Sequence, residues 1–174
     1  MTSAEGRERD RDNFYRLTGE VIRRWAMLEL SLALWLTDLL GIDELRARMI
    51  WDSYGSFGGK MNLLKALTRN FADESLWAEA RTICLDAESI AENRYILPHA
   101  FGEVDAAERR LTFHSEKFDA DFVVNFAEEK AVDTQILKSW MKALDDCQNR
   151  AAAFKAELRD RVHGKSLMHR RSAT

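Results

Sequence analysis

The sequence predicts a mainly α protein: an up-and-down helical bundle with a small β-hairpin inserted before a long C-terminal helix. The 174 residues contain only eight glycines and one proline, and no linker-like stretch interrupts them, which favours helices joined by tight turns. Hydrophobic side chains make up 46% of the chain. At this length the chain is long enough for one domain with its own core and short for two domains. We therefore expect a flexible N-terminus (1–12), one bundle domain (13–163) and a flexible basic tail (164–174).

The first predicted helix covers residues 13–40. Its apolar stripe combines two series with a seven-residue period: Phe14, Val21, Leu28 and Trp35, with Thr18, Trp25, Leu32 and Leu39. Gly41 follows as a glycine does just beyond a helix end. Between Trp25 and Thr37 the helix is apolar almost all round, so we expect it to lie centrally or in a dimer seam.

Glu29 is the only charged residue in that apolar part of the helix. A carboxylate there needs a donor or stays protonated, because burying an unpaired charge is costly. Two interpretations stay open: Glu29 pairs with a buried cation from another helix, or it faces water through a gap.

Two shorter helices follow, each with a capping residue. Asp43 is a predicted N-cap for a helix that ends near Gly55, and Ser56 is one for the next. The apolar positions of the first are Leu45, Met49 and Trp51, and those of the second are Phe57, Met61, Leu64, Leu67 and Phe71. Gly58-Gly59 would let another backbone approach closely near the start of the second helix.

The next helix carries the most informative stretch of the chain. Asp73 or Ser75 caps it, and its apolar series is Leu76, Ala80, Ile83, Ala87 and Ile90. The following position in that series is Arg94. An arginine on an apolar seam is costly unless it is paired, so it has either a structural or a functional role. Glu29 is the carboxylate that we expect to pair with it.

Beyond this helix the periodicity shortens to two residues. Alternating apolar positions predict a β-hairpin over about 108–127, with a short helix over 121–131 as the competing interpretation. Asp133 or Thr134 then starts a last helix with a strict three-four repeat: Leu137, Trp140, Leu144, Cys147, Ala151, Phe154 and Leu158. This helix is expected to pack along helix 13–40 or against its own copy.

Three further features bear on location and partners. Cys84 and Cys147 show no zinc-type spacing, so we expect reduced core thiols in a cytoplasmic protein. The most apolar run, residues 25–40, is short for a bilayer span of about 20 residues, so no membrane segment is expected. Residues 150–174 carry a net charge of +5 against −8 for the rest, which suits either phosphate binding or a solvated end.

Arginine and histidine stand five positions apart in the segment Glu92-Asn93-Arg94-Tyr95-Ile96-Leu97-Pro98-His99. The spacing occurs again at Arg109 and His114, but there it falls in the predicted hairpin and adjoins no helix end. On an unbroken helix five steps leave two residues roughly 140° apart. A kink or stop at Pro98 would turn His99 back toward Arg94.

This segment resembles the Arg-x4-His motif of the HEPN superfamily, the higher eukaryotes and prokaryotes nucleotide-binding domains. The order of elements over about residues 14–100 is also similar, with Glu29 on a long first helix and the segment from Lys60 to Leu64 on a later one. The family often has a polar residue directly after the arginine, whereas this chain has Tyr95 there and Asn93 before the arginine.

The resemblance implies a helical homodimer that, in active members, cuts RNA without a metal or cofactor. His99 would then transfer protons, and Arg94 would hold the phosphate. Asn93 would donate a supporting hydrogen bond to the substrate. Glu29 would position these residues without contacting the substrate. Toxin or defence ribonucleases of this kind imply RNA and an antitoxin or other protein as partners. The alternative is a non-catalytic bundle that binds a protein or a small ligand.

Overall fold

The computed structural model describes the backbone of residues 4–105, 110–118 and 124–171, and the side chains of residues 8–9, 11–92 and 132–162. Six helices and three strands run in the order α1 (Ala4–Ala33), α2 (Trp35–Leu40), α3 (Glu44–Ser53), α4 (Phe57–Phe71), α5 (Glu74–His99), β1 (Ala100–Asp105), β2 (Arg110–Phe118), β3 (Val124–Asp133) and α6 (Thr134–Arg171) in that described part. The prediction of a mainly α bundle with a small β element before a long last helix is confirmed.

The chain divides into two compact units. One combines Met1–Trp25 with Ile90–Ala143 and contains the sheet, and the other combines Ala26–Ser89 with Leu144–Thr174. The second unit contains the whole of α2, α3 and α4, together with parts of α1, α5 and α6. The single-domain organisation over 13–163 stays a prediction.

The first predicted helix is two helices in the structure. α1 begins at Ala4, well before the predicted start at residue 13, in a stretch whose described side chains are exposed and include an Arg11–Glu8 pair at 3.7 Å. The break follows Ala33, where the Leu34 carbonyl accepts both the amide of Thr37 at 3.3 Å and its hydroxyl at 2.7 Å. This tighter turn interrupts the i→i−4 ladder.

The predicted helix ends and starts are confirmed at five positions. Gly41 closes α2 with φ 65°, the left-handed conformation that favours glycine. Side-chain oxygens of the N-caps accept backbone amides at the other four: Asp43 from Arg46 at 2.9 Å, Ser56 from Gly59 at 3.1 Å, Asp73 from Leu76 at 3.1 Å, and Asp133 from Gln135 and Ile136 at 2.8 Å each.

The predicted apolar stripes of α1, α5 and α6 form the core. Buried members of these series include Phe14, Val21, Trp25, Leu28, Leu32, Leu76, Ala80, Ile83, Leu144, Ala151, Phe154 and Leu158. Within the second unit, Trp35 at the start of α2 donates from Nε1 to the Ala151 carbonyl at 2.9 Å, and its ring lies 4.4 Å from that of Phe154. The last helix therefore packs on the α2 part of the region 13–40, as one of the two interpretations expects.

Two shorter helices depart from the predicted pattern. On α3, Leu45 and Met49 are 70% and 65% exposed, because the face with Ala47 and Trp51 is the buried one. On α4, Phe71 at the last position is 53% exposed, and Thr68 is buried instead. No close backbone approach to Gly58-Gly59 is found within the described part of the chain, where nothing lies over Gly58 and the atoms nearest Gly59 are side-chain atoms of Ser56 and Tyr54.

The hairpin prediction is confirmed and extended. β2 and β3 pair antiparallel from Arg110 opposite Asp133 to Phe118 opposite Val124, while the connection at 119–123 lies outside the described residues. The competing helix over 121–131 is wrong, because β3 covers 124–133. β1 was not predicted; it adds a third strand beside β2. The positions Ala100, Gly102 and Val104 on one of its faces give only a weak apolar signal.

The C-terminal boundary also differs from the sequence-based expectation. α6 continues to Arg171, into the segment 164–174 for which we expect a flexible basic tail. Side chains beyond residue 162 lie outside the described set.

Candidate functional site

The predicted catalytic segment occupies the last two turns of α5. Asn93, Arg94 and His99 all belong to the α5 backbone, and β1 begins directly after His99. Their side chains lie outside the described residues. Because α5 includes Pro98, the helix stops after His99 and not before it. A helix stop ahead of His99, one of the two ways in which Pro98 was expected to turn His99 toward Arg94, is therefore not present, and a kink at Pro98 stays a prediction.

Lys60 is a cationic partner of Glu29. The Nζ atom of Lys60, at the fourth residue of α4, lies 3.1 Å from Oε1 of Glu29 on α1. Both side chains are half-buried, with 16% of Lys60 and 25% of Glu29 exposed. The expectation that Glu29 finds a cation is confirmed. The specific pairing with Arg94 involves a side chain outside the described set.

Trp51 completes this group, which we term the Lys60 cluster (Glu29, Trp51 and Lys60). The indole is buried on α3, and the Lys60 ammonium stands 5.1 Å from its ring centroid. The cation is thus held between a carboxylate and an aromatic face, two interactions that gain strength away from water. The cluster ties α1, α3 and α4 together inside the second unit.

The sequence position of Lys60 itself indicates that its side chain needs a partner. Lys60 stands immediately before the buried Met61, at the edge of the α4 apolar series. A lysine at such a position buries its stem and needs an acceptor for its head group. A search for cations beside the apolar series of other helices would therefore have given Lys60, as well as Arg94, as a candidate partner of Glu29.

A buried carboxylate on α2 organises the neighbouring part of α6. Asp38 is only 5% exposed. Its two carboxylate oxygens lie 3.3 Å from Nζ of Lys155 and 3.3 Å from Nε of Arg159. Burial of a carboxylate is tolerated when cations and hydrogen bonds compensate for lost water, and α6 supplies both cations here.

Two further arginines of α6 reach carboxylates of α5 and its cap. Arg150 lies 2.5 Å from Asp86, and Arg161 lies 3.2 Å from Asp73, the N-cap of α5. Arg161 also contacts Glu157 on its own helix, and its pKa is raised chiefly by the hydrogen bond to Asp73. We call the contacts of Arg150, Lys155, Arg159 and Arg161 with these carboxylates the α6 clasp. All four basic residues of 150–174 whose side chains the structure describes therefore serve interhelical ion pairs.

The two cysteines are free and buried, as predicted. Burial is the main cause that raises the pKa of Cys84 to about 12 and that of Cys147 to about 11. The Cys147 sulfur lies 3.9 Å from the Ile83 carbonyl, where α6 passes α5 within the second unit. Such thiols remain protonated near neutral pH and are poor nucleophiles.

The comparisons with known proteins do not assign this chain to a family. Protein-family models, curated proteins and solved structures gave no match.

Metal binding and membrane insertion were considered for the described residues as well. Among them, no three His, Cys, Asp or Glu side chains are grouped so as to hold a metal ion. No single helix of that part of the chain is long and apolar enough to cross a membrane, and the one pair that passes on length and composition, Arg11–Leu40 with Glu44–Ser53, is bent by 115°.

Proposed function

We propose that this protein is a HEPN-like helical protein that acts on RNA as a metal-independent endoribonuclease. His99 would transfer the protons, Arg94 would hold the phosphate and Asn93 would donate a further hydrogen bond to the substrate. The proposal includes a homodimer, with a second motif supplied by the second copy, and an antitoxin or other protein partner. It rests on the motif in the last turns of α5 and on the mainly α fold.

The observation that carries the proposal is the Glu29–Lys60 ion pair at 3.1 Å. The strongest structural explanation for an arginine on the α5 seam is that it neutralises the carboxylate of Glu29 on α1. Lys60 already supplies a cation to that carboxylate, and Trp51 holds the ammonium from the other side. Arg94 is therefore not required as the only counter-charge of Glu29, which favours a functional role for it.

The chemistry requires three groups around a phosphodiester. A base removes the 2′-OH proton, a fixed cation stabilises the charge on the phosphorane, and an acid protonates the departing 5′-oxygen. Histidine titrates in the range that suits either proton transfer, and the arginine fork offers two parallel donors to phosphate oxygens. One chain provides one histidine of this motif, and a two-fold axis would provide the other.

The test is RNA cleavage by purified protein with single substitutions. We expect His99→Ala to abolish cleavage and Arg94→Lys to reduce it by at least about tenfold, because lysine keeps the charge but loses the planar fork. His114→Ala is the matched control, since His114 belongs to the second Arg-x4-His spacing and lies in β2. Cleavage should persist in EDTA, and circular dichroism should show unchanged helix content in every variant.

Retention of full cleavage by a folded His99→Ala protein would exclude the proposed role of that residue. Loss of helical structure in Arg94→Lys or Arg94→Ala would instead assign the arginine to the fold. A cleavage activity that disappears in EDTA would contradict the metal-independent mechanism.

A second candidate function is a non-catalytic bundle that binds a protein or a small ligand. The end of α5 favours it, because the helix does not stop before His99, and a stop at Pro98 was one of the two ways to bring His99 toward Arg94. In that case wild-type protein has no ribonuclease activity in any of these assays, and the His99→Ala variant retains its binding partner.

A further inference from the structure

The outer face of α3 carries two apolar side chains that the core does not use. Leu45 and Met49 are the most exposed large hydrophobic residues among those described, at 70% and 65%. They lie one helical turn apart and only about 40° apart in azimuth. The buried pair of the same helix, Ala47 and Trp51, lies about 160° away from them. α3 therefore has two opposed apolar faces, and only the face with Ala47 and Trp51 is buried among the described residues.

Charged residues on one flank of this face are oppositely signed and unpaired. Arg48 and Asp52 are both exposed and stand four positions apart, beside Leu45. Within the described part of the chain neither of them forms an ion pair, whereas Arg46 on the other flank pairs with Asp43 at 3.5 Å. A basic residue placed before an acidic one is also the less favourable order for pairing along a helix.

We propose that the outer face of α3 (Leu45, Arg48, Met49 and Asp52) binds the same face of a second copy of this chain, with the two α3 helices antiparallel. A two-fold axis perpendicular to two antiparallel helices brings identical flanks together in opposite directions. A cation that precedes an anion by four residues then meets the anion of the other helix, and the pairing occurs twice. Arg48 of each copy lies level with Asp52 of the other.

The same register accounts for the apolar residues. With the axis level with residue 50, Met49 of one helix lies about 3 Å along the axis from Met49 of the other, at a rise of 1.5 Å per residue. Leu45 then lies level with the C-terminal end of the other α3, close to Tyr54, which is itself partly exposed. Apolar contacts in the centre and charge pairs at one side resemble the anatomy of protein interfaces.

The size of the face sets the strength of the association. α3 has ten residues, and a helix of that length spans only about 15 Å. A stable interface buries about 800 Å² per partner, more than such a face offers alone. We therefore expect a self-association that is half complete at tens to hundreds of micromolar. This inference does not depend on ribonuclease activity, but it concerns the homodimer of that proposal, for which it names a contact surface.

The test is sedimentation velocity of the full chain from 10 to 500 µM. We expect a concentration-dependent shift from monomer toward dimer, and Leu45→Glu with Met49→Glu should remove it. Leu85→Glu is the matched control, because Leu85 is an exposed leucine on α5; this variant should associate like the wild type. A wild type that stays monomeric throughout, or a Leu45/Met49 variant that still dimerises, would overturn the proposal.

A charge exchange tests the register itself. Arg48→Asp or Asp52→Arg alone places like charges opposite each other in the dimer, so each should weaken association at least about fivefold. The double variant restores opposite charges at both points and should recover the wild-type affinity. A direct structural effect of either substitution would not be rescued in this way, and failure of the double variant to recover would contradict the antiparallel pairing.

Discussion

Along α6, the members of the three-four series from Leu144 to Leu158 are buried, and the cations beside them are joined to carboxylates of neighbouring helices. On α3, Leu45 and Met49 lie in solvent beside Arg48 and Asp52, which form no ion pair in the described part of the chain. Both helices place charges next to apolar side chains. They differ in whether the chain itself supplies the covering surface.

The difference shows how charge position reports on packing. A lysine or arginine beside a buried seam lays its aliphatic stem over that seam and brings its head group to a neighbouring helix. Lys155 does this: only 19% of its side chain is exposed, and its ammonium reaches Asp38. On the outer face of α3, no ion pair with Arg48 or Asp52 is found among the described residues. Unpaired opposite charges beside exposed apolar residues therefore mark a surface that a second molecule can complete.

The largest expected effect distinguishes the two apolar faces directly. Phe154→Ala should destabilise the protein by about 3–5 kcal/mol, because it removes a buried ring and leaves a cavity beside Trp35. Leu45→Ala should change the free energy of unfolding by less than about 0.5 kcal/mol. Urea denaturation at low protein concentration measures both. Equal losses would show that α3 packs its outer face within the monomer.

A second prediction compares a buried, ion-paired carboxylate on α2 with an exposed carboxylate on α3. Asp38→Asn should destabilise the protein by about 2–4 kcal/mol, because Lys155, whose side chain is only 19% exposed, then loses the carboxylate that compensates for its lost hydration. Asp52→Asn, the matched substitution on α3, should have an effect within about 0.5 kcal/mol. The free energies of unfolding from urea denaturation decide the point. A stable Asp38→Asn protein would mean that the α6 clasp contributes little.

A third prediction concerns the access of reagents to the two faces. Burial raises the pKa of Cys84 to about 12 and that of Cys147 to about 11. The native protein should therefore react with Ellman's reagent at pH 8 only as fast as local unfolding exposes these thiols. Met49→Cys introduces a thiol at an exposed position and should add one fast-reacting group. Rapid reaction of two thiols in the wild type would contradict the buried seam between α5 and α6.

Much of the fold follows from local rules that act within a few residues. A capping oxygen, a left-handed glycine and a three-four repeat are all short-range features, which is why the caps at Asp43, Ser56 and Asp73 and the α6 series were predictable. The α1 start was missed because a solvated helix has no apolar stripe to reveal it. β1 was missed for a similar reason, since Ala100 and Gly102 give little alternation.

Partners across the chain were harder to predict because they depend on tertiary arrangement. Glu29 was recognised as a carboxylate in need of a cation, but the choice between Lys60 and Arg94 depends on which helix passes it. Asp38 falls within the apolar run 25–40, and nothing in its sequence position shows that Lys155 and Arg159 of the α6 clasp contact it. For the α5 motif, the sequence predicts which residue types stand at which spacing. It does not determine whether their side chains converge.

The smallest expected effect concerns a charge cluster on the surface of α1. Glu20 accepts hydrogen bonds from Arg23 and Arg24, at 2.7 and 3.1 Å, and these bonds lower its pKa from 4.5 to about 2. A lowered pKa stabilises the folded state above pH 4.5, and this contribution is lost as the pH falls toward 2. The thermal midpoint of Glu20→Gln should therefore lie slightly below that of the wild type at pH 6, and the two should converge near pH 2. Because the cluster is exposed, the difference should be smaller than that of Asp38→Asn at every pH. A gap that stays constant from pH 6 to pH 2 would show that the side chain acts through packing and not through its charge.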